Sequence, residues 1–235
     1  MGLSQHRAAA FEPAAVRVAV LSVSDTRTRE TDLGGALVEA LTAEAGFCVL
    51  GRDIIPDDPD AIRARIRALC QEPFDTTRQE NAVANAGDAA PVLTKPDVVL
   101  LTGGTGIAPR DGTVEALAPL FERRLDGFGE LFRMLSFAEV GAAAMLSRAC
   151  AGIVRGGVAV FLMPGSPAAI RLAMQRLILP ELGHLVAELR KQPDRADRAD
   201  SAAHAANAAQ TEAVAHAPDA PQGHHRHGTD DHHRH

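Results

Sequence analysis

Residues 98–116 read VVLLTGGTGIAPRDGTVEA, and the order of residue types in this stretch decides the fold. Lys95-Pro96-Asp97 bounds the apolar run 98–101, which predicts a buried strand. Thr102-Gly103-Gly104-Thr105-Gly106 follows, with glycines spaced so that the backbone reaches positive φ and approaches a ligand closely. Successive backbone N–H groups in such a turn form an anion nest. Arg110 then supplies a planar fork suited to phosphate, and Asp111 a hard oxygen ligand suited to Mg²⁺. Gly112 and Thr113 lead into Val114, Leu117, Leu120 and Phe121, whose spacing predicts a helix with its dipole aimed at the anion site. The stretch is not a P-loop, since no Gly-Lys-Ser/Thr closes it. A glycine-rich turn with Asp111 capping a helix is the other reading the same residues allow.

The remainder of the chain repeats strand and helix in alternation. Residues 16–23, VRVAVLSV, predict a central parallel strand buried on both faces, ending at Ser24-Asp25. A helix with Leu33, Leu37, Val38 and Leu41 on one face stops at Gly46. A strand over 47–55 ends at Pro56-Asp57-Asp58-Pro59, where Asp58 and Pro59 are the cap and first residue of a helix buried through Ile62, Ile66 and Leu69. That leaves Asp57 in the loop at the strand's carboxyl end, as a turn-former or as a functional acid. Residues 71–96 lack any sustained period and predict a surface insertion. Leu131, Met134, Leu135 and Phe137 recur at helical spacing, as core or subunit contact. Short strands follow over 149–154 and 158–163, joined by Gly156-Gly157. Ser166 and Pro167 then launch a helix that Pro180 ends or kinks, with a further helical piece to about Leu189.

The chain has 235 residues, 46% of them hydrophobic, so one sizeable core is expected; 1–15 form a loose lead and 191–235 a disordered tail. The tail ends HHRHGTDDHHRH, a segment holding six of the ten histidines. A solubilising tail is its simplest reading, with a metal-binding tail as the other. Net charge −6 and the lack of Trp and Tyr argue against nucleic acid as a partner. No apolar run approaches the ~20 residues of a membrane span, so a cytoplasmic protein is expected. Cys48, Cys70 and Cys150 fall outside any metal or redox spacing and are expected to be buried reduced thiols.

Alternating strands and helices imply a three-layer α/β/α sandwich on a mostly parallel sheet, whose ligands sit outside the strands' carboxyl ends. Four polar clusters fall at such ends: Ser24-Asp25, Asp57, the cradle 102–111, and Pro164-Gly165-Ser166. A phosphate nest beside carboxylates has the inventory of a nucleotide-and-Mg²⁺ site, which implies phosphoryl or nucleotidyl transfer. No histidine lies near the cradle in sequence, and a phosphate nucleophile, already ionised at neutral pH, needs no general base.

In order along the chain stand VSDTR at 23–27, IPDD at 55–58, LLTGGTGIAPRD at 100–111, GFGELFRMLSF at 127–137, MLSRACAGI at 145–153 and MPGSP at 163–167. Together these resemble the MoaB/MogA family of molybdenum cofactor biosynthesis proteins, related to the G domain of gephyrin and plant Cnx proteins; the 127–137 motif is similar to the MoaB branch. The resemblance covers about residues 16–190 and implies the molybdopterin-binding fold and a homo-oligomer, trimer or hexamer. The activity it implies is adenylylation of molybdopterin by MgATP, with molybdopterin and ATP as substrates. Carried over by motif, Asp57 and Asp111 would be the catalytic and Mg²⁺-binding acids. Gly103, Gly104, Thr105 and Gly106 would cradle phosphate. Ser147, Arg148, Pro164, Gly165 and Ser166 would line the pterin and phosphate side, and Ser24, Asp25, Thr102, Arg110 and Glu115 complete the expected binding set. The family's Asp-x-Ser-Gly is here Asp32-Leu33-Gly34-Gly35, without the hydroxyl, and its Thr-Pro-Glu is Thr113-Val114-Glu115. Some MoaB proteins lack the acid of Pro-Asp and with it the transferase activity; Asp57 is present here. The alternatives within the resemblance are a non-catalytic molybdopterin carrier and a nucleotide-cleaving module of the CinA type.

Overall fold

The computed structural model describes residues 12–70 and 95–191. The His-rich tail and nearly all of the 71–96 insertion therefore lie outside the described residues, as does the lead up to residue 11. The end of that lead is not loose: Pro13–Ala15 form one 3₁₀ turn, and the Ala15 carbonyl accepts from Arg190 at 3.0 Å.

Six strands form one sheet: β1 (Arg17–Val23), β2 (Cys48–Ile55), β3 (Val98–Thr102), β4 (Phe121–Arg124), β5 (Cys150–Val154) and β6 (Val158–Met163), in the order β2-β1-β3-β6-β5-β4. The β2-β1-β3-β6 portion is parallel throughout, while β5 is antiparallel to both of its neighbours. Strands β3 and β6 are buried at every residue, because helices cover both faces. Alternation along β1 divides the core. Val18 and Val20 face a layer made by α1 (Leu33–Glu44), α4 (Asp126–Val140), α5 (Pro167–Ala173) and α6 (Leu179–Arg190). Ala19, Leu21 and Val23 face α2 (Pro59–Cys70) and α3 (Thr113–Leu117). Each fully buried Val or Leu contributes about 1.5–3 kcal/mol, so the sheet's two apolar faces are the main source of stability. Winding reverses between the neighbours β1 and β3: from β1 the chain goes to β2 on one side, and from β3 it goes to β4 at the opposite edge and returns through β5 to β6. That is the switch point at which such sheets bind ligands.

Four local expectations are corrected. The helix expected through Phe121 stops at Leu117, since Pro119 has no N–H with which to extend it; a 3₁₀ turn follows and Phe121 begins β4. Five residues carry little dipole toward an anion. Of the two outcomes expected at Pro180, an end is not found: the turn Met174–Ile178 widens to π geometry, the Leu179 N–H reaches back to the Met174 carbonyl, and the further helical piece runs Leu179–Arg190. Leu33 is exposed rather than inward; the buried face of α1 is Gly34, Gly35, Val38, Leu41 and Thr42. Cys48 is exposed on the edge strand β2, while Cys70 and Cys150 are half-buried, with burial pushing the Cys70 thiol up to about 11 and raising that of Cys150. Among the described residues no helix is long and apolar enough to cross a membrane.

Candidate functional site

Four parallel strands deliver their carboxyl ends to one side of the sheet, and the four polar clusters meet there. The backbone N–H of Asp57, after β2, donates to Asp25 Oδ1, after β1, at 2.9 Å. Gly103, after β3, has φ +107, and a Cβ there would stand 2.5 Å from the Val23 carbonyl oxygen, so only glycine lets the cradle lie against the end of β1. Its N–H donates to the Met163 carbonyl at 3.2 Å, and the Thr102 hydroxyl donates to the Pro164 carbonyl at 3.3 Å. A Cβ on Gly104 would come within 3.4 Å of Asp57 Oδ1. The cradle thus touches all three neighbouring loops.

The Asp111 carboxylate does not cap the following helix. The N-cap of α3 is Gly112, without a side-chain bond, and Asp111 Oδ2 instead accepts the Ala108 N–H at 2.9 Å. This closes the 106–111 loop on itself: a Cβ at Gly106 would stand 2.5 Å from that same oxygen. Asp57 is the most perturbed acid of the crevice. Burial raises its pKa, the Asp111 and Asp25 carboxylates raise it further, and the Gly112 N–H and Arg110 only partly offset them. Its Oδ1 is buried and has no hydrogen-bond partner among the described residues. A hard divalent cation answers both conditions, since it supplies positive charge to three carboxylates and a partner to that oxygen. Among the described residues no three His, Cys, Asp or Glu side chains are grouped closely enough to hold a metal ion by themselves, so a cation facing Asp57 and Asp111 would draw its remaining ligands from phosphate or water.

Arg148 and Glu115 brace the cradle and also line, with Asp111 and Gly112, the hollow outside it. The Arg148 Nε donates to the Gly106 carbonyl at 2.8 Å, one terminal nitrogen reaches the Asp111 carbonyl, and the other pairs with Glu115. The Arg148 N–H also donates to the Thr105 carbonyl at 3.2 Å. A guanidinium satisfied on three sides fixes the loop that presents Asp111. Ser24 and Ser147 are likewise committed locally, Ser24 Oγ accepting from the N–H groups of Thr26 and Arg27 and Ser147 Oγ from that of Ala149. Ser166 caps α5 through the Ala169 N–H at 3.4 Å. Asp25, Asp57, Thr102, Gly103, Gly104, Pro164 and Gly165 converge on the crevice, with exposed Arg110 at its edge.

Two contributors escaped the sequence reading. Gly112 offers its N–H to Asp57, and Thr113 places a buried hydroxyl against Gly104. Their adjacency to Asp111 was visible, but not their direction. The sequence departure at Gly34-Gly35 also finds its geometry. A Cβ at Gly35 would strike Asp32 and Ser22 at 2.2 and 2.3 Å, whereas one at Gly34 would stand 3.4 Å from the Gly165 carbonyl, beside the crevice.

A doubly wound α/β protein with a glycine-rich loop at its switch point belongs to the class whose ligands bind outside the carboxyl ends of the strands. The family model described as "Probable molybdopterin binding domain" matches residues 75–184. The molybdenum cofactor biosynthesis protein B of Bacillus subtilis is 44% identical over 192 residues, covering 81% of this chain and 99% of that protein. Among solved structures, a molybdenum cofactor biosynthesis protein B is 44% identical with a TM-score of 0.62, covering 77% of this chain and 99% of its own. The tungsten cofactor synthesizing protein MoaB of Pyrococcus furiosus is 33% identical with a TM-score of 0.57, covering 76% and 99%. The chain belongs to the molybdenum cofactor biosynthesis protein B (MoaB) family.

Proposed function

We propose that the chain acts in molybdenum cofactor biosynthesis as a molybdopterin adenylyltransferase, using MgATP. The observation that carries this is Asp57: a buried carboxylate oxygen without a protein partner, flanked by Asp25 and Asp111, at the edge of a glycine cradle. A carrier would need the cradle but not a buried, partnerless carboxylate oxygen with two further acids near it, whose charge repels a phosphorylated ligand unless a cation joins it.

In the reaction a terminal phosphate oxygen of molybdopterin attacks the α-phosphorus of ATP. The P–O bond to the β-phosphate breaks, pyrophosphate leaves, and adenylyl-molybdopterin remains. Mg²⁺, when bound with ATP, neutralises phosphate charge. The chain's own residues position: the N–H groups of 104–106 receive a phosphate, Arg110 stands at the mouth as a further cation, and Arg148 holds the cradle rigid. No proton needs to be removed from the nucleophile.

The exposed apolar face on and after α4, with Leu131, Met134, Phe137, Val140, Met145 and Leu146 all between 47 and 77% exposed, supports a homo-oligomer, trimer or hexamer. The deciding experiment mixes purified protein with molybdopterin, ATP and Mg²⁺ and follows AMP incorporation beside Asp57→Asn. Product that disappears in the variant is the expected result. Molybdopterin binding without product in the wild type would overturn the transferase reading in favour of a carrier.

A further inference from the structure

Thr113 is fully buried, and its Oγ1 has no hydrogen-bond partner among the described residues. A buried hydroxyl without a partner is rare in native structures, and each instance needs an explanation. Thr113 is the first residue of α3, and it stands where the cradle is narrowest. A methyl group on Gly104, whose φ is +63, would lie 1.9 Å from Thr113 Oγ1 and 3.4 Å from Asp57 Oδ1. The second of these atoms is also buried and partnerless. The two oxygens are therefore at most 5.3 Å apart, the sum of those distances, yet make no direct hydrogen bond to each other. One oxygen atom hydrogen-bonded to both spans up to about 5.6 Å. Two orphaned atoms flanking one glycine have a single economical solution, which is a shared ligand.

We propose that Thr113 is a positioning residue that, together with Asp57, holds one water oxygen beside Gly104. The water is either free or carried on a divalent cation. The Thr113 hydroxyl serves both sources, since it accepts from a water whose lone pairs are engaged and donates to one whose lone pairs are free. Its role is to fix the partner of Asp57 Oδ1, and through it the charge that the cradle presents to phosphate. Gly104 is glycine for two reasons: its backbone is left-handed, and a side chain would collide with the Thr113 hydroxyl. The inference rests on the adenylyltransferase reading only for the reaction that the water would serve.

Crystals of the full chain, grown first without divalent cations and then with Mn²⁺, test it. Density within hydrogen-bond reach of both Thr113 Oγ1 and Asp57 Oδ1 is expected, lost in Thr113→Val and kept in Thr113→Ser. An anomalous signal adjoining that density in the Mn²⁺ crystals identifies the cation as the source; its absence identifies a free water. In the AMP-incorporation assay, Thr113→Val is expected to lower turnover about tenfold and to raise the Mg²⁺ concentration required, as loss of an outer partner of a metal-bound group does, with Thr113→Ser restoring both. Should the valine variant fail to fold, Thr113→Ala takes its place in both measurements. No shared density in either crystal overturns the inference, as does a valine variant with wild-type turnover; where the Mn²⁺ crystals identify a cation, a wild-type Mg²⁺ requirement in the valine variant overturns it too. A shared oxygen in a wild type that transfers no AMP would sink the proposed function alone; AMP transfer without that oxygen would sink this inference alone.

Discussion

The backbone N–H of Asp57 donates to the carboxylate of Asp25 at 2.9 Å, tying the loop after β2 to the loop after β1. The same carboxylate adds negative charge beside Asp57 and helps to raise its pKa, behind burial and Asp111. Asp25→Asn keeps an oxygen acceptor for that N–H and removes the charge. The Asp57 pKa is then expected to fall, and the acid limb of the pH–rate profile to move to lower pH with it. An unmoved limb, or an Asp57 carboxyl NMR titration identical in the two proteins, would show that Asp25 does not act on Asp57 through its charge.

Asp57 itself trades stability for function. Its folded pKa is raised, so the native state binds the proton more tightly than the unfolded chain. Stability from this group is full below the unfolded value near 3.9 and is lost as pH rises through the folded value. Asp57→Asn removes the charge and is expected to raise Tm at pH 7 by about 2 °C while abolishing AMP transfer. Mg²⁺ is expected to raise the Tm of the wild type and leave that of the variant unchanged. Equal Mg²⁺ stabilisation of both would remove Asp57 from the metal site.

The buried pair Arg52–Asp32 behaves in the opposite sense. Asp32 is 2% exposed and accepts from Arg52 at 2.8 Å, from Ser22 at 2.7 Å and from the Gly35 N–H at 2.9 Å. Burial works to raise its pKa, but the hydrogen bonds from Gly35, Ser22 and Arg52 hold it below the usual range. Its contribution is therefore present above the unfolded pKa near 3.9 and lost as pH falls below it. Asp32→Ala leaves Arg52 buried with only Glu39 as its acidic partner and is expected to cost about 3–5 kcal/mol at pH 7, with a smaller deficit at pH 3. Urea unfolding at the two pH values measures the difference; the same deficit at both would mean that packing, not charge, carries the cost.

Arg148 is expected to resist conservative replacement. Its fork reaches the Gly106 and Asp111 carbonyls and Glu115 in three directions, which an ammonium on a flexible stem does not reproduce. Arg148→Lys should reduce AMP transfer by about 10–100-fold with a change in Tm of at most ~2 °C, because the loop it holds is at the surface. Full activity in the lysine variant would show that the cradle does not depend on this brace.

The exposed apolar stripe along α4 predicts assembly. Met134 and Phe137 are 60 and 64% exposed. Met134→Glu with Phe137→Glu places two charges in that face and is expected to lower the mass measured by light scattering by at least half at micromolar concentration. An unchanged mass would place the interface elsewhere.

The fold was largely legible in local pattern. Continuous apolar runs at 98–101 and 158–163 gave strands buried on both faces, and Asp58-Pro59 and Ser166-Pro167 marked helix starts that the structure retains. Where the reading failed, a nonlocal or easily passed-over constraint was at work. Pro119 halted a helix whose apolar spacing continued past it, and a π turn absorbed Pro180 where an ordinary helix would have broken. Leu33 matched the inward spacing but sits just after the N-cap Asp32, where the buried Asp32–Arg52 pair sets the helix's facing.

From its residues alone this chain determined its layers, its parallel sheet and the glycine cradle, because apolar periodicity and glycine spacing act over a few neighbouring residues. Its motifs also carried the family resemblance. Only the tertiary structure decided how the cradle residues are turned relative to one another. Arg148 and Glu115 turn to brace the loop, whereas Asp25 and Asp57, 32 positions apart, meet across two parallel strands, and the Thr113 hydroxyl is brought against Gly104. Direction and shared burial are properties of strands placed side by side, and no single segment of sequence encodes them.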